Sequence, residues 1–346
     1  MASNGNDRSG IVRQTGLALG LALWWATAHA EPLADVQVPG ATPTETLDFA
    51  CGELRCRGSL FLPPATDAGT PHPLIVMAHG LTLTREYLAV PAARFARAGF
   101  AVFTFDYRGF GGSQGSPRYD VSAERQLEDW RAAVAFITAR HDIDPKRVGL
   151  WGSSYSGGHV LVLASERLPI RAVVAQVPYV GASVEESRGA FFMTKAIGAL
   201  GLDALLRPFG SAYYVAVAGA PGDLAGITIA EERESLDRFL ASVPESNWRN
   251  EMPARSLYRV GTYVPDIRPT EIPCPVALYA AQSDRITPSP AIREIAAQIP
   301  RAELHEVDGG HFDIYAEPQL SRVLEEEIEF YRRYLVADPS SSDTPS

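Results

Sequence analysis

From Pro73 onward, short apolar runs alternate with longer amphipathic stretches, and no other feature of the sequence restricts the fold as much. The apolar runs cover residues 74–78, 101–105, 148–151, 172–177, 276–280 and 303–307, each the length of a strand. Between and after them, residues 89–99, 124–140, 291–299 and 320–335 place apolar side chains at three- and four-residue spacing, which buries one face of a helix. Strands that recur one helix apart are the pattern of parallel crossovers, so the alternation predicts an α/β fold with a mostly parallel central sheet and helices on both faces. With 46% hydrophobic residues in 346, the chain can fill such a core. Its formal charge of −10 argues against nucleic acid or an anionic membrane surface as the main partner, since both reward clustered Lys and Arg.

The alternation breaks once. Nearly a hundred residues separate the runs at 172–177 and 276–280, where a single helix would suffice. Segments 191–209 and 230–243 within this gap read as helices, joined by 212–228, so residues 181–272 are expected to form a helical cap over the substrate pocket. The domain plan is then a core of 31–180 and 273–336 interrupted by that cap, with a polar, Pro-containing tail at 337–346. Residues 1–30 read as a secretory leader: Arg8 and Arg13 precede an apolar run that closes in Ala28-His29-Ala30. Cleavage after Ala30 would give an exported protein, periplasmic or secreted, with no stable membrane insertion, because the apolar run is too short to span. An oxidising compartment suits a local disulfide between Cys51 and Cys56, while Cys274 opens an apolar run and reads as core. No pair of Cys or His at zinc-ligand spacing has a second pair to match it, so neither a metal nor a cofactor is expected.

The strongest local signal is the stretch RVGLWGSSYSGGHV, a strand running into a Gly- and Ser-rich turn and then a helix. Such a turn exposes one serine hydroxyl, and small residues around it let strand and helix approach. Counting from the end of the strand puts Ser154 at the turn, with Gly152 two residues before it; Ser156 occupies the position two after and remains a competing nucleophile. A serine hydroxyl needs an imidazole to take its proton and a carboxylate to orient that imidazole. His311 sits in a glycine-bordered loop after the run at 303–307, and Asp284 follows the run at 276–280. Competing acids are Asp308 and Asp313, close to His311 in sequence, and Glu185 or Glu186. Backbone N–H groups of Leu81, in His79-Gly80-Leu81, and of Tyr155 are placed to receive the negative charge of an acyl intermediate. His79, His159 and His305 read as packed or structural.

These pieces resemble the α/β-hydrolase superfamily, from about residue 47 to 335. Ser, acid and His occur in that superfamily's chain order, and FDYRGFGGSQGSP carries Asp106, Arg108, Gly109, Gly111 and Ser113 in its D-x-R-G-x-G-x-S pattern. The elbow and the GGHFDIY ending look like bacterial hydrolases grouped with acetyl xylan esterases, dienelactone hydrolases and serine aminopeptidases. The resemblance implies an α/β-hydrolase fold and acyl chemistry on a small-molecule ester, thioester or amide, with hydrolysis of a carboxylic ester through an acyl-enzyme preferred. A peptidase would need an anchor for the substrate amine, for which the pairs Glu185-Glu186 and Glu231-Glu232 stand available. Acyl transfer to an acceptor other than water and a non-catalytic binding role on the same scaffold are the remaining alternatives.

Overall fold

The computed structural model describes residues 33–64, 70–166, 168–181, 190–243 and 246–336. The leader at 1–30, the tail at 337–346, and Glu185 with Glu186 lie outside the described residues. The strands in chain order are β1 (Glu45–Cys51), β2 (Leu54–Phe61), β3 (His72–Ala78), β4 (Ala101–Phe105), β5 (Ile143–Ser153), β6 (Ala172–Gln176), β7 (Tyr214–Ala218), β8 (Ala225–Ile227), β9 (Met252–Pro253), β10 (Val276–Ala281) and β11 (Ala302–Val307). The helices are α1 (Ala89–Arg97), α2 (Ala123–Thr138), α3 (Tyr155–Ser165), α4 (Ala190–Leu206), α5 (Arg233–Ala241), α6 (Ala254–Thr262), α7 (Ser289–Ala296) and α8 (Gln319–Tyr331).

Eight strands form one sheet in the order β1-β2-β4-β3-β5-β6-β10-β11, parallel throughout from β4 to β11. All six apolar runs lie on its parallel strands. The two added strands, β1 and β2, form an antiparallel hairpin that pairs antiparallel with β4. Only one face of β1 is buried, and Glu45, Asp48 and Arg57 on the hairpin interrupt its apolar pattern. A disulfide closes the hairpin between Cys51 and Cys56, both fully buried.

Pleating sends successive residues of β3 to opposite faces of the sheet. Leu74, Val76 and Ala78 join one core with Trp130 of α2, Val160 of α3 and Ile292 of α7. Ile75 and Met77 join the other, with Phe95 of α1 and Val323 and Tyr331 of α8. Helices therefore cover both faces, as the alternation requires.

The insertion differs from a purely helical cap. It carries α4, α5 and α6, and also a three-stranded sheet in the order β8-β7-β9. Tyr214-Val215-Ala216-Val217 alternates with the period of a strand, and Val215 and Val217 bury against Ala199, Met252 and Ala254 in a small core of their own. Hydrogen bonds tie this unit to the main sheet's loops: the Val121 N–H donates to Ser256 Oγ at 2.9 Å and Arg259 Nη1 to Asp120 Oδ1 at 2.9 Å. No helix among the described residues is long and apolar enough to cross a membrane.

Candidate active site

Strand β5 runs straight into α3 through Ser154, whose backbone sits at φ 55°, ψ −117°, a conformation that L-residues seldom adopt. A turn this sharp brings strand and helix together, and a Cβ on Gly152 would run into the Ser156 carbonyl. Tyr155 opens the helix, so its N–H has no acceptor within it. Ser154, Tyr155, Leu81 and His311 line one cavity, so the residues that carry both expected backbone donors border it together with the candidate nucleophile.

The competing serine is accounted for by packing. Ser156 is fully buried, and its Oγ is bonded to Tyr107 Oη at 2.7 Å and receives the Trp130 Nε1–H at 3.3 Å. Ser154 Oγ instead lies 2.9 Å from His311 Nε2, to which its hydroxyl donates. On the other side of the ring, Nδ1–H donates to Asp284 Oδ2 at 2.7 Å. That bond places the proton on Nδ1 and leaves the Nε2 lone pair facing Ser154.

Asp284 is held from several directions. Its Oδ1 accepts the N–H groups of Ile286 and Thr287, both at 2.7 Å, and its Oδ2 accepts the Thr287 hydroxyl at 2.8 Å. The acid thus caps its own turn and grips the histidine at once. Burial alone would raise its pKa, but the facing His311 and these hydrogen bonds outweigh that and hold it below the ordinary carboxylate range. Burial alone would lower the pKa of His311; the charge of Asp284 and its hydrogen bond reverse this, the charge of Glu232 adds to them, and the net shift is upward.

The competing acids among the described residues go elsewhere. Asp313 accepts the Gly310 N–H at 2.8 Å within the histidine loop, and Asp308 is exposed. Glu232 turns toward the backbone of that loop, accepting the His311 N–H at 3.0 Å, while Glu231 is exposed. His79 is buried, its Nδ1 2.9 Å from the Gly80 carbonyl, and burial lowers its pKa despite nearby Asp106. His159 is pushed down to about 3 by burial and meets Gln126 at 2.9 Å, and His305 stacks on Tyr279. Asp106 anchors the β3 loop by accepting the N–H of Arg85 at 2.8 Å and that of Gly112 at 3.0 Å.

The cavity measures about 270 Å³ and is walled largely by apolar side chains, with Leu83 and Val90 from the core and Ile227, Phe239, Leu240 and Trp248 from the insertion. Glu86 is the one carboxylate among the described lining residues; burial, reinforced by the charge of Asp106, raises its pKa. Sequence reasoning missed Glu86 and Thr287. Glu86 lies in a one-turn 3₁₀ helix, Arg85–Leu88, that carries no motif, whereas the Asp-x-x-Thr spacing of 284–287 is a local turn signal that could have flagged Thr287. Cys51, Cys56 and Asp129 bring ligand-type atoms within 4.8 Å of one another, but the two sulfurs are bonded together and offer no thiolate.

The profile of the family described as serine aminopeptidase, S33, matches residues 69–319. The quorum-quenching protein AidA of Acinetobacter baumannii (strain MDR-ZJ06) is 34% identical over 296 residues, covering 84% of this chain and 96% of that protein. A polyketide transferase of Stachybotrys chlorohalonatus is 29% identical over 276 residues, covering 78% of this chain and 91% of the transferase. Among solved structures, the α/β hydrolase GrgF from a Penicillium species superposes with a TM-score of 0.70 at 21% identity, covering 85% of this chain and 99% of GrgF. That likeness speaks for the fold alone.

Proposed function

The chain belongs to the serine aminopeptidase S33 family of α/β hydrolases, and from that membership we propose that it hydrolyses a carboxylic ester with an apolar acyl group through an acyl-enzyme on Ser154. The observation that carries this reading is the hydrogen-bonded relay from Ser154 through His311 to Asp284, set in an apolar cavity. In the first half-reaction Ser154 Oγ attacks the carbonyl carbon while its proton passes to His311 Nε2. Negative charge on the carbonyl oxygen is received by the Leu81 and Tyr155 N–H groups, each such donor worth roughly 10²–10³ in rate. Collapse expels the alcohol, which takes the proton from Nε2. Water then repeats the sequence on the acyl-enzyme, releasing the acid and restoring Ser154.

Among the described residues, the acids around the cavity favour ester over peptide. An aminopeptidase must pair the substrate ammonium with an ionised carboxylate. Glu232 is taken up by the histidine loop and Glu231 is exposed, which leaves Glu86, whose charged form burial disfavours, as the one described carboxylate on the cavity. The relative named as a polyketide transferase favours one second reading, acyl transfer to an acceptor other than water. Export with cleavage after Ala30 belongs to the same proposal, supported by the layout of residues 1–30 and by the Cys51–Cys56 disulfide.

Labelling with a fluorophosphonate followed by peptide mapping tests the nucleophile whatever the natural substrate is. A modified Ser154 is the expected result; folded protein that stays unlabelled beside a reactive control would overturn the reading. Product analysis on an active ester then separates hydrolysis from transfer. Mass spectrometry of exported protein should find Glu31 at the amino terminus, and an intact Met1 on cytosolic protein would refute the localisation.

A further inference from the structure

Glu232 belongs to the insertion, in a short turn just before α5, yet its carboxylate is buried under the main domain's histidine loop. Its Oε1 accepts the Arg285 N–H at 3.1 Å and the His311 N–H at 3.2 Å, and its Oε2 accepts the same His311 N–H at 3.0 Å. Ser235 Oγ adds a weak bond at 3.4 Å. One side chain of the cap therefore holds the loop that carries the acid and the loop that carries the histidine. The fit is close: a Cβ on Gly310 would come within 2.7 Å of Glu232 Oε2. Around it, α5 packs on the same loop through Phe239, whose ring centroid is 4.7 Å from that of Tyr315, and through Arg238, which donates to Asp313 Oδ1 at 3.1 Å.

The partners of Glu232 are backbone N–H groups and a hydroxyl, and no Lys or Arg among the described residues forms an ion pair with it. A buried carboxylate lacking a cation places its field on the nearest group able to become one, and here that group is the imidazole of His311. Other titratable groups around the ring are otherwise engaged or exposed to solvent. Asp284 is bonded to it, the Tyr315 hydroxyl is bonded to Ser153, Asp313 is paired with Arg238, and the side chains of Asp308 and Arg285 are exposed.

We infer that Glu232 is a positioning residue by which the cap orients the histidine loop and stabilises the imidazolium formed during acyl transfer. This rests on the reading of Ser154, His311 and Asp284 given above. It makes the cap part of the proton relay as well as the wall of the pocket: lifting α5 away would release the His311 backbone and remove a negative charge from beside the ring.

The test is the pH dependence of the fluorophosphonate labelling rate, read on the full chain together with a thermal melt. Labelling requires neutral His311, so the rate climbs with pH through the pKa of the ring. In Glu232→Gln the amide oxygen can still accept both N–H groups but the charge is gone, so the midpoint should move down by about one pH unit. Glu232→Asp keeps the charge but shortens the reach; its midpoint should stay while the plateau rate falls about tenfold, as loosened positioning would cost. A Gln variant with the wild-type midpoint, or an Asp variant with the wild-type plateau, would overturn the inference. Should the Gln variant not fold, the Asp plateau decides alone. Failure of wild-type labelling at Ser154 would instead sink the underlying reading, so the two failures are distinguishable.

Discussion

At the residue scale the proposed site turns on which of two serines, two positions apart, is free to react. Ser154 faces the His311 imidazole, whereas Ser156 is committed to Tyr107 and Trp130. Ser154→Ala and His311→Ala should each abolish turnover of a chromogenic ester with the melting temperature little changed. Asp284→Asn should lose about 10⁴-fold in kcat, because the amide favours the wrong imidazole tautomer. Ser156→Ala should behave in the opposite way, retaining labelling at Ser154 while losing roughly 1–2 kcal/mol in denaturant unfolding, since it leaves the buried Tyr107 hydroxyl short of a partner. The reverse pattern would move the nucleophile by two residues. Position in the turn was legible from the order of strand, glycine and helix; the fate of Ser156 was not, because Tyr107 and Trp130 lie 49 and 26 residues away and only the folded chain brings them to it.

At the scale of elements, the parallel strands announced themselves because strands buried on both faces are apolar at nearly every position. The β1–β2 hairpin did not, since its polar positions face solvent. Its Cys51–Cys56 disulfide closes a short loop, and removing it should release conformational freedom mainly in the unfolded chain. For a loop of this length the chain-entropy relation gives about 2 kcal/mol, so Cys51→Ala/Cys56→Ala should unfold at correspondingly lower urea concentration while keeping Ser154 reactive. A double variant as stable as the parent would mean that the hairpin is held by its ladder and packing alone. The sheet within the insertion was obscured for a different reason. Strands of two to five residues give too few alternations to stand out from the flanking helical segments.

At the scale of the whole molecule, two residues that line the cavity, Trp151 and Gln176, rest on a buried acid. Glu327 of α8 accepts the Trp151 Nε1–H at 3.1 Å and the Gln176 Nε2–H at 2.7 Å, and burial pushes its pKa up to about 8. Between its ordinary value of 4.5 and about 8 the unfolded chain has already released this proton while the folded chain retains it. Stability from this group should therefore decline as pH rises through that window. Glu327→Gln is neutral at every pH, and the Gln176 amide, whose Oε1 lacks a partner, can turn to meet it. The variant should lose less stability than the parent between about pH 5 and about pH 8, measured as urea midpoints. Equal losses in the two proteins would show that Glu327 does not govern the decline.

What residue order alone determined is the α/β class, the place of the insertion, and the candidates for the serine, acid and histidine, because each of these leaves a local mark: a period, a break in rhythm, or a small-residue turn after a strand. Only tertiary structure decided which acid meets His311, that Ser156 is bonded to Tyr107 and Trp130, and that Glu232 is bonded to the histidine loop. Those outcomes depend on contacts across tens to more than a hundred residues of chain, where burial and hydrogen-bond geometry select among groups that are chemically alike.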